Sequence, residues 1–377
     1  MGALFLLLVG GVLGELNRGW RGAFVGSLSG AFLGAVLGGL VGTRLSPQKV
    51  HQRVSLYLDL ERESGCYVPG EPIEGYLHFE MGIPLKIKGC KVYLLCQGRW
   101  TYDQDSSEDS QGPSFVQETA EYYLQEIELL PAGKFRRGAF SYPFSLSLPE
   151  DALPTHHGYA CSLRWMLYAT LALPKGDPLE THREVFVEAL PPDLLPSPKG
   201  YRSTVSSELG QLTLFLPRVI VAEGETLEGQ VSISPFANFA AEEMRVLLLR
   251  IENVPKGAGQ TFYISRWDAD TGSFHGERFP GGEGSTFVWL EDEEVLCEEC
   301  RFAIAEPEYF SFQLRIPTQW RPTVATGEGR VVWKVAAVIT RGGQSVLRAF
   351  HEVIVHTSTA EIAHILAPKS LHSPPQD

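Results

Sequence analysis

The segment YVPGEPIEGYL at residues 67–77 sets the fold of this chain, and the segment VAEGETLEGQV at residues 221–231 repeats it. Each places a Gly-Glu turn directly before an apolar-Glu-Gly strand start. A second matching pair follows, FSLSLP at 144–149 and FQLRIP at 312–317, and an aromatic-bearing strand around Trp165 or Trp333 follows each of those. Two tandem copies of one β-sandwich explain this repeat most simply.

The residues between these motifs have the sequence pattern of short antiparallel strands. Runs such as VSLYLDL at 54–60 and RWMLYATL at 164–171 alternate apolar and polar residues, and Gly, Pro and Asp fill the gaps. Alternation with a period of two predicts strands with one buried face. We therefore predict an all-β fold with sandwich lobes at 50–190 and 206–356. A proline-rich linker at 191–205 joins them, and a tail at 357–377 follows.

These motifs resemble the arrestin family, in which a Pro-Gly-Glu turn opens each lobe and a Phe-x-Phe/Leu-x-Leu-Pro segment precedes a return strand. The resemblance spans about residues 50–355 and is closest to divergent, bacterial-type members. It implies two tandem arrestin-like β-sandwiches that bind a protein partner. Receptor desensitisation is not carried over, because Leu194 stands where a Pro-Pro-x-Tyr motif needs tyrosine and no clathrin-box tail is present.

The N-terminal 46 residues differ in character from the lobes. Glycines recur every four residues in a stretch without charge from Ala23 to Thr43, and two more lie four apart in the preceding apolar segment. This spacing puts them on one face of a helix, and such small-residue faces are how membrane helices pack. We predict a glycine-zipper helical membrane hairpin at 1–46. Its predicted packing residues are Gly10, Gly14, Gly22, Gly26, Gly30, Gly34, Gly38 and Gly42.

Two partners can fill the groove that these glycines form. The first helix of the same hairpin is one, which makes the segment a membrane anchor. Neighbouring copies of the chain are the other, which makes it a homo-oligomer and, in the extreme, a pore. Both alternatives stay open from the sequence.

The motif Cys297-Glu-Glu-Cys300 has the spacing of two zinc thiolates or of a redox pair. Zinc needs four ligands, and no second Cys-x-x-Cys exists in the sequence. An incidental pair of reduced thiols in a cytoplasmic compartment is the simpler interpretation. We therefore predict that the chain has no cofactor, with zinc bound by this pair as the alternative. The residues that would have to complete a zinc site are Cys66, His275 and His351.

Charge and motif content exclude several function classes. The net charge is −13, although residues 1–49 are basic, so the lobes are poor nucleic-acid binders. The sequence contains no phosphate-binding loop, dinucleotide-binding loop or zinc-protease motif, and we predict that the protein is not an enzyme. The pair His156-His157 and the acidic runs Asp103–Asp109 and Glu291–Glu294 are predicted to be solvated loops.

The sequence thus predicts a membrane-anchored adaptor or scaffold in the inner or plasma membrane, with its lobes in the cytoplasm. Its partners are the lipid bilayer and a protein that the lobes bind, by sheet edges, sandwich faces or the cleft between lobes. The alternative is a membrane effector, whose glycine helices oligomerise into a pore or disrupt the bilayer while the lobes sense a signal.

Overall fold

The computed structural model describes residues 54–104, 114–195, 197–264, 276–280, 283–304 and 307–357. Every regular element in these ranges is a β-strand, which confirms the predicted all-β fold of this part of the chain. Within the same ranges no helix is long and apolar enough to cross a membrane. The predicted hairpin at 1–46, with its eight glycines, lies outside the described residues.

The strands are numbered here in chain order. The first nine are β1 Val54–Leu60, β2 Cys66–Tyr67, β3 Pro72–Met81, β4 Leu85–Gln104, β5 Ser114–Phe135, β6 Gly138–Ser147, β7 His156–His157, β8 Cys161–Ala172 and β9 Leu179–Val187. The next seven are β10 Tyr201–Ser206, β11 Gly210–Leu216, β12 Ile220–Ala222, β13 Thr226–Pro235, β14 Phe239–Ala240, β15 Glu243–Val254 and β16 Gln260–Ile264. The last seven are β17 Gly276–Pro280, β18 Ser285–Glu298, β19 Arg301–Phe302, β20 Glu308–Arg315, β21 Val324–Ala325, β22 Arg330–Arg341 and β23 Gln344–His356.

Two compact units divide the chain. Unit 1 holds the residues up to Val187 together with Leu249–Glu291 and Val324–Val331. Unit 2 holds Glu188–Leu248, Asp292–Thr323 and the residues from Val332 onward. The predicted lobes were contiguous, whereas both units are assembled from separate stretches, because the unit boundaries fall inside the long strands β15, β18 and β22.

Antiparallel pairing dominates the sheets. One sheet has the order β1-β3-β6, and a six-stranded sheet has the order β2-β9-β8-β4-β5 with β7 on β8. A third has the order β10-β11-β13-β20, and an eight-stranded sheet runs β12-β23-β22-β15-β18-β16-β17 with β21 on β22. Strands β14 and β19 form a separate pair. The short strands β2 and β12 are parallel to their neighbours β9 and β23 in the same way.

Three clusters of buried apolar side chains form the cores. The first lies in unit 1 and surrounds Trp165, and the second lies in unit 2 and surrounds Trp333. The third, also in unit 1, is built around Trp100 and Phe287. Cys90, Cys96 and Cys161 lie in apolar strand sequences and are buried free thiols, and burial raises the pKa of each to about 12.

In the first copy, the glutamate side chain forms the bonds that close the Gly-Glu turn. Gly70 has φ +85°, a conformation that favours glycine. The Glu71 carboxylate accepts a hydrogen bond from Val68 N at 2.8 Å and forms an ion pair with Arg62 Nη1 at 2.7 Å. Partial burial opposes the charge of Glu71, but these two bonds outweigh it and lower its pKa. The motif is therefore a turn closed by its own side chain.

The second copy repeats this arrangement with different neighbours. Gly224 has φ +82°. Glu225 Oε2 accepts from Ala222 N at 3.1 Å and pairs with Arg218 Nη1 at 2.9 Å. Equivalent sequence positions thus build equivalent turns, as the repeat in the sequence predicts.

The two aromatic-bearing strands repeat as well. Trp165 Nε1 donates to Leu153 O at 2.8 Å, and Trp333 Nε1 donates to Arg321 O at 3.0 Å. Each tryptophan is fully buried and each acceptor lies twelve residues before it. A buried indole N–H needs a hydrogen-bond acceptor, and in both copies a backbone carbonyl at the equivalent position provides it.

Two local predictions differ from the structure. Residues 201–205 belong to the predicted linker but form β10 together with Ser206, because they pair along β11. His156 and His157 form β7 instead of a solvated loop. His156 is fully buried, and His157 Nε2 lies 2.9 Å from Glu184 Oε1.

Candidate protein-binding edges

The free edge of β6 is closed by side chains of the neighbouring sheet. Leu148 N donates to Glu71 O, so the alternation of an antiparallel ladder turns the N–H of Ser147 away from β3. That N–H donates to Gln125 Oε1 at 2.9 Å, and Ser147 O accepts from the Tyr123 hydroxyl at 3.0 Å. Pro143 lies at another outward position and has no N–H to offer. This edge is protected against pairing.

The edge of β20 in unit 2 is closed by the same device. The N–H groups of Gln313 and Arg315 point away from β13. Gln313 N donates to Glu294 Oε2 at 2.6 Å, and Arg315 N donates to Asp292 Oδ2 at 2.7 Å. Part of the acidic run that was predicted to be a solvated loop therefore caps a sheet edge.

Strand β10 closes the opposite edge of that sheet. It pairs antiparallel with β11 from Tyr201 to Ser206. In the repeat, β11 corresponds to β1, β13 to β3 and β20 to β6, because these strands flank the equivalent turns. Unit 2 thus shows that this position of the sheet accepts one more antiparallel strand.

The corresponding edge of β1 is open within the described residues. There, β1 pairs only with β3. Glu61 N donates to Glu74 O, so the N–H groups of Leu56 and Leu58 point away from β3, and neither has a hydrogen-bond partner in the described part of the chain. The strand, VSLYLDL, also lacks the lysines and prolines that usually protect an edge.

Exposed aromatic side chains lie beside this edge. Tyr57 is 54% exposed and stacks on His78 of β3, with ring centroids 4.7 Å apart. Tyr76 is 40% exposed and lies 6.1 Å from the same His78 ring. Rigid aromatic residues are the ones that interfaces favour, so the face next to β1 suits a protein partner.

Unit 1 also contains a buried ionic cluster. Arg250 Nη1 donates to Glu252 Oε1, and Arg250 Nε lies 2.6 Å from Glu291 Oε1. The Trp289 ring lies 5.2 Å from the Arg250 guanidinium. Glu252 accepts from the backbone N–H groups of Tyr159, Ala160 and Cys161 as well. The cluster holds the loop before β8 in place, and its charges are paired.

A second buried carboxylate, Asp103, is the penultimate residue of β4. It is 1% exposed, and its Oδ1 accepts from the Ser285 hydroxyl. Asp103 N donates back to Ser285 Oγ at 2.9 Å, while Ser285 N donates to Lys256 O at 2.8 Å. These bonds tie the end of β4 to the start of β18 and serve the fold.

The prediction of solvated loops is wrong for Asp103, which is buried, and for Glu291, which pairs with Arg250, and the sequence did not single out Arg250 or Glu252. In β15 every second residue from Met244 to Val254 is buried, and Arg250 and Glu252 occupy two of those positions. Charges on the inward face of an alternating strand are a signal in the sequence. The partners of these charges cannot be identified from the sequence, because the backbone groups that bind Glu252 lie about ninety positions away and Glu291, which binds Arg250, lies 41 positions away.

Cys297 and Cys300 form a disulfide between β18 and β19, with Cα atoms 5.8 Å apart. The structure differs here from the expected reduced thiols, because the turn brings both sulfurs together. Cys66 belongs to unit 1 and is not disulfide-bonded, whereas Cys297, Cys300 and His351 belong to unit 2, and His275 lies outside the described residues. In the described ranges no group of three or more His, Cys, Asp and Glu residues is placed to hold a metal ion. Zinc binding by the reduced pair stays a prediction.

Comparison with known proteins gives one family model and several curated relatives, each over part of the chain. Residues 54–189 match the family model described as Arrestin (or S-antigen), N-terminal domain. Arrestin domain-containing protein 1 of Rattus norvegicus is 29% identical over 107 residues, which cover 28% of this chain and 23% of that protein. The Mus musculus protein of the same name matches to the same extent. Arrestin domain-containing protein 4 of Mus musculus is 30% identical over 146 residues, 35% of each chain.

The chain therefore spans about a third or less of the length of these curated relatives. They are mammalian, and the bacterial-type placement stays a prediction. With the paired sheets and the repeated turns, these matches support an arrestin-like family for this chain.

Proposed function

We propose that the protein is a membrane-anchored adaptor that binds a protein partner by adding a strand of that partner to the edge of β1. An arrestin-like domain suggests an adaptor or scaffold role in general. The observation that carries the finer proposal is the contrast at equivalent edges: β10 pairs along β11, whereas β1 has no second neighbour and has unpaired outward N–H groups within the described residues. The other edges are capped at particular positions, β6 at Ser147 and β20 at Gln313 and Arg315. Strand addition uses such groups for affinity and neighbouring side chains for specificity.

A pair of variants at Leu56 tests the role of the backbone. Leu56→Pro removes the outward N–H without touching a bond to β3, whereas Leu56→Ala removes the same half-buried side chain and keeps the N–H. A photo-crosslinking residue at exposed Tyr57 marks the partner in cells, and the same residue at Ser141 on the capped strand β6 is the control.

We expect crosslinks to one partner from position 57, but not from position 141. They should persist in the Leu56→Ala protein and disappear in the Leu56→Pro protein. Equal crosslinking by both variants would show that the outward N–H is not used. Crosslinks from position 57 to residues 357–377 of the same chain alone would contradict binding of a separate partner.

The anchoring half of the proposal is supported by the glycine spacing at 1–46. Alkaline extraction of cell membranes tests it: the full chain should stay in the membrane fraction, and a chain without residues 1–46 should be released. A full chain released by alkali would contradict the anchor. The pore alternative has its own test, because Gly30→Leu with Gly34→Leu would abolish membrane leakage caused by the full chain.

A further inference from the structure

Two arginines lie diagonally across neighbouring strands on the outer face of the six-stranded sheet in unit 1. In the register of β4 and β8, Arg99 is opposite Ser162, and Arg164 is opposite Gln97. Residues two apart on a strand share a face, so Arg99 and Arg164 project from the same side. Diagonal neighbours in a sheet are roughly 7–8 Å apart, within reach of long side chains.

Arg99 has no anionic partner in the described part of the chain. Its Nε is buried and donates no hydrogen bond. Its surroundings also oppose its charge: partial burial first, and then the positive charge of Arg164, lower the pKa of Arg99. An unpaired, partly desolvated cation beside a second cation is unfavourable unless a ligand compensates it.

The carboxylates near this pair are engaged or distant. Glu184 lies 2.9 Å from His157 Nε2 and 4.0 Å from Arg164 Nε. Glu121 is opposite Gln97 on β5, and it forms no ion pair with Arg99 among the described residues. The phenol of Tyr159 lies within electrostatic reach of Arg99 and offers a further donor. Among the described residues, Arg99 is therefore a cation without a carboxylate, on a protein whose net charge is −13.

We propose that Arg99 and Arg164 form a binding site for a small oxyanion, phosphate or carboxylate, carried by a protein partner. Guanidinium groups present planar sets of N–H donors that match both oxyanions. A compact anion gains both contacts, whereas the acidic body of the chain repels an extended polyanion such as nucleic acid or an anionic lipid surface. The site does not involve the edge of β1 and stands independently of strand addition there.

Thermal unfolding of the full chain in a neutral detergent tests the site. Sodium phosphate, phosphoserine or sodium acetate replaces chloride at constant ionic strength. Binding to the folded state raises Tm in step with the logarithm of the anion concentration above Kd, and we expect this with phosphate or acetate. Arg99→Met should shift the concentration at which Tm begins to rise upward by about tenfold or more. Arg183→Met is the matched control, because Arg183 lies on β9 of the same sheet and donates to Glu63 O.

Arg99→Met should also leave Tm in chloride unchanged or raised, since it removes an uncompensated cation, so loss of binding cannot be ascribed to misfolding. Equal anion responses of the Arg99→Met and unmodified chains would overturn the proposal, as would a Tm of the unmodified chain that does not rise with anion concentration at constant ionic strength. A third outcome would also overturn the proposal: phosphatidylserine nanodiscs raise Tm more than phosphatidylcholine nanodiscs do, while phosphate, phosphoserine and acetate leave Tm unchanged. That result would assign the two arginines to binding of the membrane surface.

Discussion

Glu252→Gln isolates the contribution of the buried ionic cluster, because glutamine has nearly the same shape and leaves no cavity. In the structure, Glu252 Oε1 accepts from Tyr159 N and Arg250, and Oε2 accepts from Ala160 N and Cys161 N. The glutamine amide nitrogen must replace one of these oxygens. In either orientation two buried donors lose their acceptor and face another donor.

The size of the effect follows from those two donors. Each unsatisfied buried donor costs about 1–3 kcal/mol, and breaking a buried ion pair costs about 3–5 kcal/mol. We expect Glu252→Gln to lower the free energy of unfolding of unit 1 by about 3–5 kcal/mol. For a body of this size that is a decrease in Tm of about 6–20 °C. Glu291→Gln, which affects the bond from Arg250 Nε and none of the backbone N–H groups that Glu252 binds, should cost about 1.5–3 kcal/mol.

Urea unfolding followed by tryptophan fluorescence measures the stability, and amide hydrogen exchange of the peptide containing residues 159–161 locates the change. Glu252→Gln should expose the amides of Ala160 and Cys161 to exchange, and Glu291→Gln should leave them protected. The reasoning is refuted if Glu252→Gln unfolds within about 1 kcal/mol of the unmodified chain with its amides still protected.

Three further predictions concern thiols, edges and pH. In the native, non-reduced protein a maleimide should label Cys66 alone, because the other three cysteines outside the disulfide are buried. After denaturation it should label four cysteines, and after reduction all six. Mass spectrometry counts the adducts, and labelling of a second thiol in the native protein would contradict the burial. Replacing Asp292 and Glu294 together by alanine should uncap β20 and increase self-association in sedimentation velocity; an unchanged monomer would show that the caps are dispensable. The hydrogen bond from His157 lowers the pKa of Glu184 in spite of partial burial. This carboxylate therefore stabilises the fold above its unfolded pKa of about 4.3, and the stabilisation is lost as pH falls through the lower folded pKa. Glu184→Gln should be less stable than the unmodified chain at neutral pH and equally stable in acid, and a stability difference that does not change with pH would contradict the assignment.

Local patterns in the sequence were sufficient for much of the fold. The period of two predicted the strands, and the repeated Gly-Glu motifs predicted turns that the structure builds twice with the same side-chain bonds. The burial of Cys90, Cys96 and Cys161 followed from the apolar runs around them. These features depend on neighbours within a few residues, so the sequence states them directly.

The sequence alone thus determined an all-β chain with an internal repeat, in which the turns and the inward side chains of each strand are set by local alternation. Only the tertiary structure decided which edges are closed, that Glu252 holds a loop about ninety residues away, and that Arg99 lies beside another arginine without a carboxylate. The physical reason is that edge capping and ion pairing depend on which strands become neighbours. Strand register is a long-range property, and the spacing of residues along the chain does not encode it.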